Sequence, residues 1–390
     1  MNNLDNPMVS DLCKTIVGSE IRAMFEKAGT MDDVVSFAIG EPDFITPQHI
    51  IDVAVEKLEA GATHYAPNPG IPELRQAIAR HNSGHTYSPN LTWENVVVTA
   101  GAMEAILVSM QALLNPGDEI LVPTPHFPAY TGQFQIANVK PIYVPTHEDA
   151  AYQIDLDLME RMITPKCKTI LINSPRNPTG SVLNRDTMQG LTELARKHHL
   201  SVISDEIYGS IIYDEPHNCI LDFMDLEENV ILCNGFSKAY AMTGWRLGYT
   251  ISTPEIAVSI RRIHEYGSSC SNIAFQYAAV EALDNGADDV ERMRKEYQSR
   301  RDLMYKLINQ TKGVSCIVPK GAFYIFMNIK GTGLTSREFA DRLLDEQHAV
   351  VVPGTAFGPE GEGYVRLSYA ADEKTLREGM RRIAAFTESL

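Results

Sequence analysis

The chain is short of positive charge. It carries 34 lysines and arginines against 50 aspartates and glutamates, a formal net charge of −16. A field of that sign repels nucleic-acid phosphates and anionic membranes, so neither is expected as a partner. Cysteine is sparse and scattered. Cys13, Cys167, Cys219, Cys233, Cys270 and Cys316 form no C-x-x-C pair, which argues against a disulfide framework and reads as reduced thiols of a cytoplasmic protein. No apolar run approaches the ~20 residues of a membrane span. The opening MNNLDNPMVS has neither a basic region nor an apolar one, so no signal peptide is expected. Repeats and low-complexity tracts are lacking. No G-x-S-x-G elbow occurs. GPEGEG (358–363) precedes an apolar run instead of following one, which weakens a dinucleotide reading. The histidines offer no metal site: Ser83 and Gly84 read as a helix stop between His81 and His85, and His198 and His199 suit the end of a helix.

What is present is apolar and periodic. Hydrophobic residues make up 44% of the chain, enough for a large core and for two domains or one elaborated domain. Seven short Val/Ile-rich runs lie at 96–100, 119–123, 141–145, 169–174, 201–204, 230–234 and 247–252. Most lack polar alternation, as strands covered on both faces do. Helical patterns lie between them, such as the one with Met188, Leu191 and Leu194 on one face. The alternation predicts an α/β fold with a mostly parallel seven-stranded sheet covered by helices, with ligands at the C-terminal strand ends. A long amphipathic helix is expected over 289–309, with Val290, Met293, Tyr297, Met304 and Leu307 on its stripe. After it come the apolar runs SCIVP, GAFYIFMNI, VVVP and YVRLSYA, and a helix opened by a Thr335/Glu338 capping box. The expected division is an N-terminal arm and part of a smaller unit over 1–45, a large domain over 46–288, and a connecting helix with a smaller α+β unit over 289–390.

The strand ends carry the polar signal. The turn Gly101-Ala102-Met103 opens a helix whose amides would face an anion. Phe127 offers a flat ring in a proline-braced loop, and Asn177 an amide. Asp205 and Tyr208 follow the fifth run; Ser237 and Lys238 follow the sixth, with Arg246 close behind. Alone, each has an ordinary explanation, such as a helix cap for Asp205 or a surface ion pair for Arg246. Together they suit one ligand: a phosphorylated, cationic heteroaromatic aldehyde, which is pyridoxal 5′-phosphate. The amine bonds the aldehyde, the acid holds the ring nitrogen protonated, and the ring stacks on Phe127.

Eight stretches in order, IGEPDF, HYAPNPGIPELRQAIA, NSPRNPTG, SDEIY, NGFSKAYAMTGWRLG, PKGAFYIF, VVPGTAFG and GEGYVRLSYA, resemble the fold-type I, class I/II aminotransferases. The likeness runs from about residue 33 to 389 and is nearest the branch of prokaryotic aspartate and aromatic amino acid aminotransferases. It implies that Lys238 bonds the cofactor and carries the proton, and that Asp205 binds the ring nitrogen. Tyr208 and Asn177 would contact the ring hydroxyl. Gly101, Ala102, Met103, Ser237 and Arg246 would hold the phosphate. Arg366 would grip the substrate α-carboxylate, a two-pronged geometry lysine cannot supply, assisted by Gly40 and Asn177. Tyr65 would reach the phosphate of a second subunit, making the active unit a homodimer. The implied reaction moves an amino group from an L-amino acid to a 2-oxo acid such as 2-oxoglutarate in a ping-pong cycle.

Two other functions keep company with this fold. Relatives include pyridoxal-phosphate lyases, which share the Lys238 and Asp205 types of residue. Some regulators use the fold as a sensor behind a DNA-binding domain, which the acidic charge disfavours. For the donor, aspartate-specific relatives place a basic residue where Met103 stands here. With 19–29, GAFYIF and the 351–370 stretch, this favours aromatic or other apolar donors, with aspartate as the alternative.

Overall fold

The seven apolar runs become seven strands of one sheet. They are β1 (Val96–Thr99), β2 (Glu119–Thr124), β3 (Lys140–Pro145), β4 (Cys167–Asn173), β5 (Ser201–Asp205), β6 (Val230–Gly235) and β7 (Gly248–Ile251). This computed structural model describes residues 8–16, 18, 20–29 and 31–390, without the side chains of residues 21–23 and 25. Of the 19–29 stretch read above for donor choice, residue 19 and the side chains of residues 21–23 and 25 fall outside the described residues.

The order across the sheet is β1-β7-β6-β5-β4-β2-β3. β7 is antiparallel to both of its neighbours, and the remaining pairs are parallel. Six strands thus point the same way. Successive residues alternate between two apolar clusters: Val96, Val98, Leu121, Ile170, Ile172 and Val202 face one layer, and Val97, Ile120, Val122, Leu171 and Ile203 the other. Each such side chain contributes roughly 1.5–3 kcal/mol on burial, so both faces must be covered. Helix α1 (Ala102–Leu113) packs on the second layer; α2 (Arg185–His198), capped by Asn184, buries Met188, Leu191 and Leu194 in the first.

A third cluster gathers around α3 (Ala287–Gln310), which buries Met293, Tyr297 and Met304 and half-buries Val290 and Leu307. It includes the sheet β9-β10-β8, formed by β8 (Tyr324–Asn328), β9 (Val352–Pro353) and β10 (Tyr364–Ser368), antiparallel throughout. Helices α4 (Ser336–Gln347) and α5 (Glu373–Glu388) cover it. α4 opens with the Thr335/Glu338 capping box. SCIVP departs from the expectation of an apolar strand: it makes only a single bridge, Ser315 to Asn328. Val35–Ser36 pairs in parallel with Ala349–Val350, so the stretch leading to Gly40 is tied to the C-terminal part of the chain. That tie brings Gly40 and Arg366, from opposite ends of the sequence, to the same place.

Candidate active site

The C-terminal ends of β1, β2, β4, β5 and β6 open on one cavity of about 580 Å³. Its wall includes Gly40, Ala102, Met103, Phe127, Asn177, Asp205, Tyr208, Ser237, Lys238, Arg246 and Arg366. Gly101 lies just behind this wall, and Tyr65 lies outside it, 88% exposed. All but one of the residues singled out from the sequence therefore meet within one chain.

Lys238 follows β6 and donates from Nζ to the Gly40 carbonyl at 2.7 Å. Its ammonium lies 6.0 Å from the Tyr208 ring centroid and 5.9 Å from that of Phe323. Burial pulls it down to about 8; the nearby Arg366 and Arg246 add to this, and Glu41 and Asp205 partly oppose it. An amine near 8 is unprotonated in a useful fraction at neutral pH, as an ordinary lysine is not.

Asp205 ends β5 and is 4% exposed. Oδ2 accepts from the Tyr130 hydroxyl at 2.5 Å and Oδ1 from the Ile207 amide at 3.2 Å. Burial raises its carboxyl to about 6 against the lowering effect of these donors and of Lys238. Both bonded partners are neutral. A buried carboxylate so placed fits a cationic group in the cavity.

Arg366 sits on β10 at 1% exposure. Nη1 donates to Asn177 Oδ1 at 3.3 Å, Nη2 donates to the Ala38 carbonyl, and Nε has no partner. Its guanidinium lies 4.7 Å from the Tyr324 ring centroid. Among the described residues no carboxylate pairs with it. A buried cation lacking a counterion fits an anionic ligand.

The turn after β1 forms the third charged corner. Gly101 takes φ +84° and caps α1, leaving the Ala102 and Met103 amides without an acceptor among the described residues. Arg246 Nη2 donates to the Ala100 carbonyl at 3.4 Å and Nη1 to the Thr243 carbonyl at 3.0 Å. Two free amides at a helix N-terminus beside a guanidinium make an anion cradle, with Ser237 on the cavity wall nearby.

Three side chains were missed by sequence reading. Tyr130 stands edge-on to Phe127 at 5.6 Å as well as bonding Asp205. Tyr324 shares a 2.7 Å hydrogen bond between hydroxyls with Tyr208, and leaves no room for a side chain at Gly40. Glu41 lines the cavity and accepts from the Thr243 hydroxyl. Tyr324 and Glu41 lie within stretches that drew attention, but nothing local marks their partners.

A doubly covered, mostly parallel sheet with an amine, a buried acid, a buried guanidinium and an anion cradle at its strand ends has the architecture of a fold-type I transferase. The chain belongs to the aminotransferase class I and II family, whose family model matches residues 32–383. It is 44% identical over 381 residues to an aspartate aminotransferase of Pyrococcus abyssi, covering 96% of this chain and 97% of that one. Aromatic-amino-acid aminotransferase 2 of Thermococcus litoralis is 40% identical over 378 residues, covering 96% and 97%. The crystal structure of an aromatic aminotransferase from Pyrococcus horikoshii superposes with a TM-score of 0.87 at 42% identity, covering 95% and 99%. The protein is thus an aminotransferase acting on an amino acid and a 2-oxo acid, and the family's cofactor is pyridoxal 5′-phosphate. The residues present fit that group: Asp205 has only neutral bonded partners, the Ala102 and Met103 amides have no acceptor among the described residues, and Lys238 supplies the amine.

Proposed function

We propose that the preferred donors are aromatic or other apolar L-amino acids and that 2-oxoglutarate is the usual acceptor, in a ping-pong cycle. The observation that carries this reading is Met103, an apolar side chain 39% exposed on the cavity wall, where the family resemblance implies a basic residue in aspartate-specific members. With no cation there, a distal carboxylate loses its partner while an apolar side chain loses nothing. Aspartate is the second reading, favoured by the name of the Pyrococcus abyssi relative.

When bound, the cofactor supplies the electron sink that makes the donor's Cα–H acidic. Asp205 would keep the ring nitrogen charged, Tyr208 and Asn177 would hold the ring hydroxyl, and Phe127 would support the ring. The Gly101–Met103 turn, Ser237 and Arg246 would hold the phosphate. Arg366 holds the α-carboxylate in a two-pronged grip, with Asn177 and the Gly40 backbone beside it. This would fix the donor's Cα before Lys238, whose free amine is the group that would take and hold the proton. We assign the working unit as a cytoplasmic homodimer, with Tyr65 reaching across and with the chain divided at about residues 46 and 288. The exposed Tyr65 and the separate apolar cluster around α3 support these assignments.

A donor panel with 2-oxoglutarate tests the proposal. Phenylalanine, tyrosine or methionine should exceed aspartate in kcat/KM by roughly tenfold, the scale of one pocket contact. A large preference for aspartate overturns it. Ammonia release from a donor alone, without an acceptor, would indicate a lyase instead. Lys238→Ala should lower kcat by at least about a thousandfold while the cofactor still binds.

A further inference from the structure

Glu104 stands in the first turn of α1, one residue beyond the anion cradle. A carboxylate there looks misplaced, since it would repel a phosphate dianion nearby. Its oxygens are, however, fully committed. Oε2 accepts the Ala100 amide at 2.5 Å. Oε1 accepts from His264 Nδ1 at 2.9 Å and from the Ser268 hydroxyl at 2.5 Å. His264 is completely buried on the helix Pro254–Gly267, and Ser268 caps that helix. Burial pushes the Glu104 carboxyl up, but His264, Ser268 and the Ala100 amide together hold it below its ordinary value. It is therefore ionised at neutral pH and makes charge-assisted bonds.

Both backbone polar groups of Ala100 are held, so the peptide units on either side of its Cα are each fixed by one bond. Glu104 takes the N–H, and Arg246 Nη2 donates to the carbonyl. The next residue, Gly101, packs so closely on the Arg246 guanidinium that a Cβ there would lie 2.6 Å from Nη2. The chain of contacts runs from His264 and Ser268 through Glu104 to the Ala100–Gly101 turn, and from that turn to Arg246. Rotating the backbone at Ala100 would break one of these bonds, move the Arg246 head and re-aim the Ala102 and Met103 amides together.

We infer that Glu104, braced by His264 and Ser268, is a positioning residue for phosphate recognition: it locks the Ala100–Gly101 turn so that Arg246 and the two free amides converge on one dianion. This rests on the phosphate-binding role proposed for the cradle. The sign of the effect separates it from simple electrostatics. If Glu104 acted only through its charge, removing the charge would tighten binding of a dianion. If it positions the cradle, removal weakens binding.

The test is equilibrium titration of cofactor-free protein, followed by absorbance, with pyridoxal 5′-phosphate and with pyridoxal, which lacks the phosphate. Glu104→Gln should weaken the phosphorylated ligand roughly tenfold, the scale of a lost charge-assisted bond, and change pyridoxal affinity less than about twofold. Ser268→Ala, at an exposed position, removes one donor without emptying the core. It should give a smaller loss in the same selective pattern, and it carries the test if Glu104→Gln does not fold. Tighter or unchanged binding of the phosphorylated ligand overturns the inference, as does an equal loss for both ligands. Wild-type protein that binds the two ligands equally would overturn the phosphate reading of the cradle itself, a result separate from any variant.

Discussion

Asp205 is a carboxylate at 4% exposure whose bonded partners, Tyr130 and Ile207, are neutral. Such a group costs folding free energy unless a ligand supplies the cation. Burial raises its carboxyl to about 6 in the fold against an ordinary value of 3.8. The folded state therefore binds more protons than the unfolded chain between those values, and the cost is full above about pH 6 and absent below about 4. At neutral pH it amounts to about 3 kcal/mol. Asn can keep both contacts, accepting from Ile207 and donating to the Tyr130 hydroxyl, which can also act as acceptor. Asp205→Asn should thus raise the melting temperature of cofactor-free protein by a few degrees at pH 7.5. The gain should shrink to nothing as pH falls from 6 to 4. The same variant should lose at least tenfold in cofactor affinity, because an amide cannot hold the ring nitrogen charged. A pH series of thermal melts beside a cofactor titration reads both. A variant no more stable than wild type at pH 7.5 would show that Asp205 carries no such cost.

At the scale of elements, the cradle depends on how close α1 comes to the sheet. Gly235 and Gly248 face each other across β6 and β7, and a Cβ on Gly248 would strike the backbone of Gly101 and Ala102. Backbone cannot yield as a flexible side chain can, so Gly248→Ala should push the start of α1 off the strand. The expected cost is about 1–3 kcal/mol, read as a lower urea midpoint at unchanged slope, with weaker phosphate binding. A midpoint within error of wild type would mean that α1 is free to shift. Elements of this kind were open to sequence reading because their signal is local. Apolar runs, most of them without polar alternation, announce strands covered on both faces, and the Thr335/Glu338 spacing announces the start of α4. SCIVP was apolar enough to suggest a strand, but only Ser315 finds a pairing partner. The supporting contacts of the site were closed to such reading. Tyr130 and Asp205 are 75 positions apart, and Glu104 and His264 are 160 apart. No periodicity links residues at those distances; only the packed sheet brings them together. The groups that line the cavity were picked out because one ligand's chemistry ties such residue types to one another, whereas the residues behind them answer only to the fold.

For the whole molecule the open question is Tyr65. Its side chain is 88% exposed, outside the cavity, in a loop that Asn68 pins to the Ser269 carbonyl at 2.7 Å. Ile45 and Tyr266 are also largely exposed, at 83% and 91%. Large apolar side chains standing this far out of a folded chain are suited to burial against a partner. A second copy that covers them would let each Tyr65 donate its hydroxyl to the other copy's cradle. Mixed dimers decide the matter. In a dimer of one Lys238→Ala chain and one Tyr65→Ala chain, action across the interface leaves one site with both residues intact. Action within a chain leaves none. Co-expressed and separated mixed dimers should therefore recover about half the wild-type turnover per dimer, because one of two independent sites is whole. Half of their sites should also bind pyridoxal 5′-phosphate with wild-type affinity. Turnover no greater than that of the Tyr65→Ala homodimer would place Tyr65 outside the partner's site. Sedimentation of the wild-type chain as a monomer would remove the shared site altogether.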